Sequence, residues 1–141
     1  MSRHIGYVTL VVGDYDEAIH YYMSVLGFEL VENTPLGDGK RWVLVRPTGS
    51  EGSCLLLAKA MTPEQQRRIG DQTGGRVFLF LHTDNFERDY SGLRSRGARF
   101  LEEPRREAYG MVAVFEDLYG NRWDLLALNQ ESRDRSGDPD H

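Results

Sequence analysis

One pattern occurs twice in this chain and constrains its fold more than any other feature. A short apolar run leads into Asp or Asn with an aromatic residue, then a helical stretch, a Gly, and three further strand-like runs. The first copy opens with Tyr7-Val-Thr-Leu-Val-Val-Gly-Asp14-Tyr15 and reaches Leu26-Gly27-Phe28. The second opens with Phe78-Leu-Phe-Leu-His82-Thr-Asp84-Asn85-Phe86 and reaches Arg96-Gly97-Ala98. Tyr7 therefore matches Phe78, and Gly27 matches Gly97. The period is about half the chain, whereas solenoid repeats run roughly 20 to 50 residues. Two βαβββ modules in one small α+β domain fit it better.

Local signals place the elements. Asp14 with Glu17 three residues on makes a capping box, and Ile19, Tyr22, Met23 and Leu26 follow at helical spacing. Asp84 with Glu87 repeats the box ahead of a Phe86, Tyr90, Leu93 stripe that ends near Gly97. Thr62-Pro63-Glu64-Gln65 starts a short third helix, with Thr62 as N-cap and Pro63 at the first helical position. Strands are expected at Ile5 to Val12, Phe28 to Glu32, Arg41 to Arg46, Ser53 to Ala58, Arg76 to His82, Arg99 to Glu102, Val112 to Phe115 and Arg122 to Leu126. Residues 1–128 then form a single domain of two modules, about 4–60 and 75–128, joined by a helical connector over 61–74. The polar, charged segment 129–141 is expected to be disordered.

Bulk properties exclude several function classes. At 141 residues the chain can bury roughly two thirds of its unfolded surface without a disulfide or metal staple. Its 17 basic and 22 acidic residues give a net charge of −5, and the basic residues are scattered, which argues against a nucleic-acid partner. The only lysines are Lys40 and Lys59, and the single cysteine, Cys54, lies in an apolar run as a small core residue. No signal segment or membrane-length apolar run is present, so a cytoplasmic protein without a membrane partner is expected. The glycines never take the spacing of a phosphate-binding fingerprint and read as turn residues.

The segments Val11-Val12-Gly13-Asp14-Tyr15-Asp16-Glu17-Ala18-Ile19 with Tyr21-Tyr22 and Leu26-Gly27-Phe28, and Glu116-Asp117-Leu118-Tyr119-Gly120-Asn121-Arg122-Trp123-Asp124-Leu125, carry a resemblance. Together with the tandem repeat they resemble the vicinal-oxygen-chelate superfamily of glyoxalase I, bleomycin-resistance proteins and extradiol dioxygenases. The likeness spans Ile5 to Leu128. It implies curved mixed sheets around a cleft, helices on the convex sides, and a homodimer. It does not name a reaction, because one fold hosts many functions.

In metal-dependent members of that superfamily the first and last strand of each module supply one ligand each. The matching positions are Tyr7, Leu56, Phe78 and Asp124, of which only Asp124 is a conventional ligand. A divalent ion needs three or four nitrogen, oxygen or sulfur donors, so no metal or other cofactor is expected. His82 shares a strand face with Phe78 but lies roughly 13 Å along it at about 3.3 Å per residue. His4 faces the other side of its strand, and His20 is on a helix. Period-two alternation groups Tyr7 with Thr9 and Val11, and Phe78 with Phe80 and His82. With Trp42 and Asp124 these residues make a ligand-binding set of aromatic character, the facing of Trp42 and Trp123 being open. They could equally be ordinary core fillers. Asp124 and Tyr7 are the catalytic candidates, Asp124 as a desolvated general base or as a structural acceptor. The expected function is metal-free binding of a small aromatic or hydrophobic molecule. The alternative is a divergent metal-dependent lyase, isomerase or dioxygenase of the same superfamily.

Overall fold

A computed structural model of the chain describes residues 2–135. The chain divides into two compact units, Met1–Gln72 and Thr73–His141. The first contains β1 (Tyr7–Val12), α1 (Tyr15–Ser24), β2 (Phe28–Gly37), β3 (Lys40–Pro47), β4 (Cys54–Lys59) and α2 (Pro63–Gln66). The second contains β5 (Leu79–His82), α3 (Phe86–Ser95), β6 (Arg99–Phe100), β7 (Arg105–Glu107), β8 (Gly110–Glu116), β9 (Arg122–Leu128) and α4 (Gln130–Arg135).

The sheets have the same plan. The first runs β1-β4-β3-β2 and the second β5-β9-β8-β6, with β7 also paired to β8. In each unit the first and last strands are parallel and the rest antiparallel. The repeat read from the sequence is thus a repeat of topology.

Alternation decides which face each helix covers. Leu10 and Val12 of β1, Val43 and Val45 of β3, and Leu55 and Leu57 of β4 are buried with Ala18, Tyr22 and Phe28. Each of the Val, Leu and Phe side chains contributes about 1.5–3 kcal/mol by leaving water. The buried residues of α1 are Tyr15, Ala18 and Tyr22; of the expected stripe Tyr22 and Leu26 are buried, while Met23 is 43% exposed. Both stripes satisfy helical spacing. Tyr15 settles the rotation, because its hydroxyl accepts the Arg41 N–H at 3.1 Å. In the second unit, ring contacts run from Phe86 through Tyr90, Phe100 and Phe115 to Trp123, joining α3 to the sheet.

Several boundaries depart from the sequence expectation for identifiable reasons. Asp14 caps α1 by accepting the Glu17 N–H at 2.8 Å, and Thr62 caps α2 through Gln65 N–H at 3.1 Å. The α3 cap is Asn85, not Asp84; Asn85 accepts the Arg88 N–H at 3.1 Å, while Asp84 pairs with the Arg88 guanidinium. β2 runs on to Gly37 and turns through Asp38-Gly39, whose φ values of 55° and 79° are the pair a tight two-residue hairpin needs. Its counterpart in the second unit is broken into β6 and β7, with Pro104, which has no N–H to donate, between them. The segment expected to be disordered from 129 carries α4 instead. Asn129 accepts the Ser132 N–H at 2.8 Å, and Ser132 is buried. Residues 136–141 lie outside the described residues.

Candidate ligand-binding face

On the first sheet the face without a helix carries Tyr7, Thr9 and Val11 of β1, since Leu10 and Val12 point the other way. Leu56 pairs with Thr9 on one side and Leu44 on the other, giving a row Thr9–Leu56–Leu44 across the sheet. Trp42 belongs to this face. Its ring meets that of Tyr7 edge to face, with centroids 5.7 Å apart and planes at 81°.

A cavity of about 470 Å³ opens at the end of this face. Its floor is Thr9, Val11, Trp42, Leu56 and Ala58; Met61 and Gln65 close it from the α2 side, and Leu36 and Lys40 from the β2–β3 hairpin. α2 is held by its Thr62 cap and by Gln65, whose Oε1 accepts the Met61 N–H at 2.7 Å. Gln72 pairs with Val11, accepting its N–H at 3.4 Å and donating to its carbonyl at 3.3 Å. Those contacts cover an edge strand that would otherwise present free backbone groups. Tyr7 lines a second hollow, of about 340 Å³, with His4, Arg46 and Cys54. Tyr7 itself is 53% exposed, and Cys54 is buried.

On the second sheet the equivalent row is Phe80–Asp124–Val114. Asp124 therefore occupies the topological place of Leu56. Its strand neighbour is Phe80, whereas Phe78 lies just before β5 and donates its N–H to Arg122 at 2.8 Å. Trp123, whose facing the sequence left open, points to the opposite face, 3% exposed and stacked on Phe115. Phe80 is 55% exposed, and His82, at the end of β5, is exposed as well. Asp124 Oδ1 is buried and accepts no hydrogen bond among the described residues. Burial raises the Asp124 pKa above its usual 3.8, Arg105 partly opposes this, and Glu102 adds to it.

The metal question turns on donor chemistry. In the first unit the two matching positions are Tyr7 and Leu56, in the second Phe78 and Asp124. Leu and Phe have no donor atom, so these residues do not fit a tightly held divalent ion. Among the described residues, no group of three or more His, Cys, Asp and Glu side chains is close enough to hold one.

The model of the Glyoxalase/Bleomycin resistance protein/Dioxygenase superfamily matches residues 4–125. The chain belongs to that superfamily. An uncharacterized protein of Shewanella frigidimarina (strain NCIMB 400) is 54% identical over 132 residues, which are 93% of this chain and 98% of that one. The crystal structure of UcmS2 superposes with a TM-score of 0.77 at 30% identity, covering 89% of this chain and 98% of its own. TnmS3, an antibiotic binding protein from Streptomyces sp. CB03234, gives 0.72 at 27%, covering 91% and 98%. In this superfamily member the most recognisable segment, Glu116 to Leu125, is partly a folding device. Asp117 is buried at 5% exposure and accepts the N–H groups of Tyr119 and Asn121 and the Asn121 amide, at 2.9 to 3.0 Å.

Sequence reasoning placed Thr9 and Trp42 at the cavity. It missed Leu36, Lys40, Met61 and Gln65, which come together only through the hairpin and α2. One signal was available: Lys40 and Lys59 are the chain's only lysines, and both line this cavity.

Proposed function

We propose that this protein binds a small organic molecule with an apolar or aromatic body in the cavity of about 470 Å³ in its first unit, without a tightly bound metal. The observation that carries this is the floor. Trp42, Val11, Leu56 and Ala58 form a mostly apolar surface in a cavity within the roughly 300–1,000 Å³ typical of small-molecule sites. Thr9 and Gln65 supply a few polar points, the usual means of orienting such a ligand. The antibiotic-binding neighbour TnmS3 supports the same reading. The chain's two tryptophans provide the test, since Trp42 lines the cavity and Trp123 is buried in the helix-covered core. Titration with aromatic compounds should change the emission saturably in wild type and not in Trp42→Phe. A broad aromatic library that changes neither emission nor melting temperature would overturn the proposal.

One observation favours a second reading. The unpartnered Asp124 Oδ1, with a raised pKa, is the state of a carboxylate suited to accept a proton. An acid–base enzyme using Asp124 would lose turnover in Asp124→Asn while keeping ligand affinity. Family likeness also supports a homodimer, and a cytoplasmic location is part of this proposal. Light scattering at micromolar concentration should give twice the 16.1 kDa chain mass. Among the described residues no helix is long and apolar enough to cross a membrane.

A further inference from the structure

We propose that the ligand of this cavity is an anion: an apolar or aromatic body bearing a carboxylate or a comparable acidic group, with its charge held at the mouth by Lys40 and Lys59. The inference rests on the cavity reading above and adds the ligand's charge to it. The chain has 22 acidic residues against 17 basic, yet none of the cavity's lining residues is Asp or Glu, and three are Lys40, Arg41 and Lys59. A random sample of this surface would give the opposite sign.

The three cations are not equivalent. Arg41 is committed, holding Asp16 at 2.8 Å and the Asn33 side chain at 3.1 Å, with its guanidinium 5.0 Å from the Tyr15 ring centroid. Lys40 and Lys59 make no ion pair among the described residues. The antiparallel register Leu44↔Leu56 and Val45↔Leu55 brings the start of β3 and the end of β4 to the same end of the sheet. Lys40 and Lys59 thus stand at the same end of the sheet, and both line the cavity. Gln65 adds to this bias. Its Oε1 is turned to Met61 N–H, and its NH₂ is a donor it can offer a ligand. Lysine ammonium groups and an amide NH₂ are all donors, matched to an acceptor-rich, negatively charged group above an apolar floor. In a protein of net charge −5, local cations at a concave mouth are what would draw an anion in.

Three probes with one ring system and different charge test this: 2-naphthoate, 2-naphthamide and 2-naphthylmethylammonium, titrated calorimetrically at low salt and neutral pH. Naphthoate should bind about tenfold more tightly than naphthamide, from two solvent-exposed charge contacts of modest individual strength. The ammonium probe should bind most weakly. The naphthoate preference should shrink as salt is raised, since the screening length is about 10 Å at 0.1 M. In the Lys40→Gln/Lys59→Gln double variant, with its melting temperature checked against wild type, naphthoate and naphthamide should become equivalent. Equal affinity for all three probes in wild type, or a naphthoate preference that survives the double substitution, overturns the charge assignment and leaves the cavity reading intact. Failure of all three to bind overturns the cavity reading itself.

Discussion

The Tyr7 and Trp42 rings, from β1 and β3, meet edge to face 5.7 Å apart across the intervening strand β4. Such a contact adds about 0.5–1.5 kcal/mol beyond burial, and here it steadies the Trp42 ring in the floor of the 470 Å³ cavity.

Trp42→Ala should therefore abolish binding of aromatic ligands by removing the ring in the cavity floor. Tyr7→Ala should weaken it only about two- to tenfold, by freeing Trp42 to move. Both residues stand on the helix-free face, so calorimetric titration beside a thermal melt separates lost binding from lost folding. Equal affinity in wild type and Trp42→Ala would exclude this face as the site.

Asp117 makes a contrasting prediction. It lines neither cavity described above, but its two oxygens hold the turn between β8 and β9 through three hydrogen bonds. Asp117→Ala should cost about 2–4 kcal/mol, because buried donors lose a charged acceptor. Denaturant unfolding measures this directly. Ligand affinity in the fraction that remains folded should be unchanged.

The repeat, both long helices and the cap residues Asp14 and Thr62 were legible because each depends on neighbours a few positions away. What failed depended on a choice between locally equivalent options. Asp84 and Asn85 are both good caps, and the backbone selects Asn85. Two stripes of α1 fit helical spacing, and the Tyr15 hydroxyl selects one. The cavity was legible only in part: Thr9 and Val11 follow from period-two alternation, but Met61, Gln65 and Lys40 reach it through a turn and a short helix whose placement no periodicity encodes. The position of Asp124 opposite Phe80, with Trp123 turned away, likewise follows from register and not from spacing.

The pH dependence of stability should report Asp124. Burial raises its folded pKa above 3.8, so between 3.8 and the folded pKa the folded state binds a proton more readily than the unfolded state. The contribution is fully present below 3.8 and is lost as pH rises through the folded pKa. Asp124→Asn removes the titration. The variant should gain stability relative to wild type as pH goes from acid to neutral, and that relative gain should vanish below 3.8, as read by denaturant midpoints across the range. A difference independent of pH would mean that Asp124 does not titrate in a perturbed environment.

Metal content follows from the same carboxylate. Asp124 is the one conventional ligand among the four matching positions, and Tyr7, Leu56 and Phe78 offer at best a single phenol. A divalent ion held by one carboxylate keeps most of its water and exchanges freely, because tight sites use three or four protein donors. The purified protein should contain far less than one equivalent of zinc, nickel, iron or manganese after dialysis, measured by elemental mass spectrometry. Adding these ions should leave its melting temperature unchanged, since only a ligand that binds the folded state at concentrations above its Kd stabilises it. Near-unit metal content that disappears in Asp124→Ala would instead make Asp124 a ligand, and would require donors beyond those four positions.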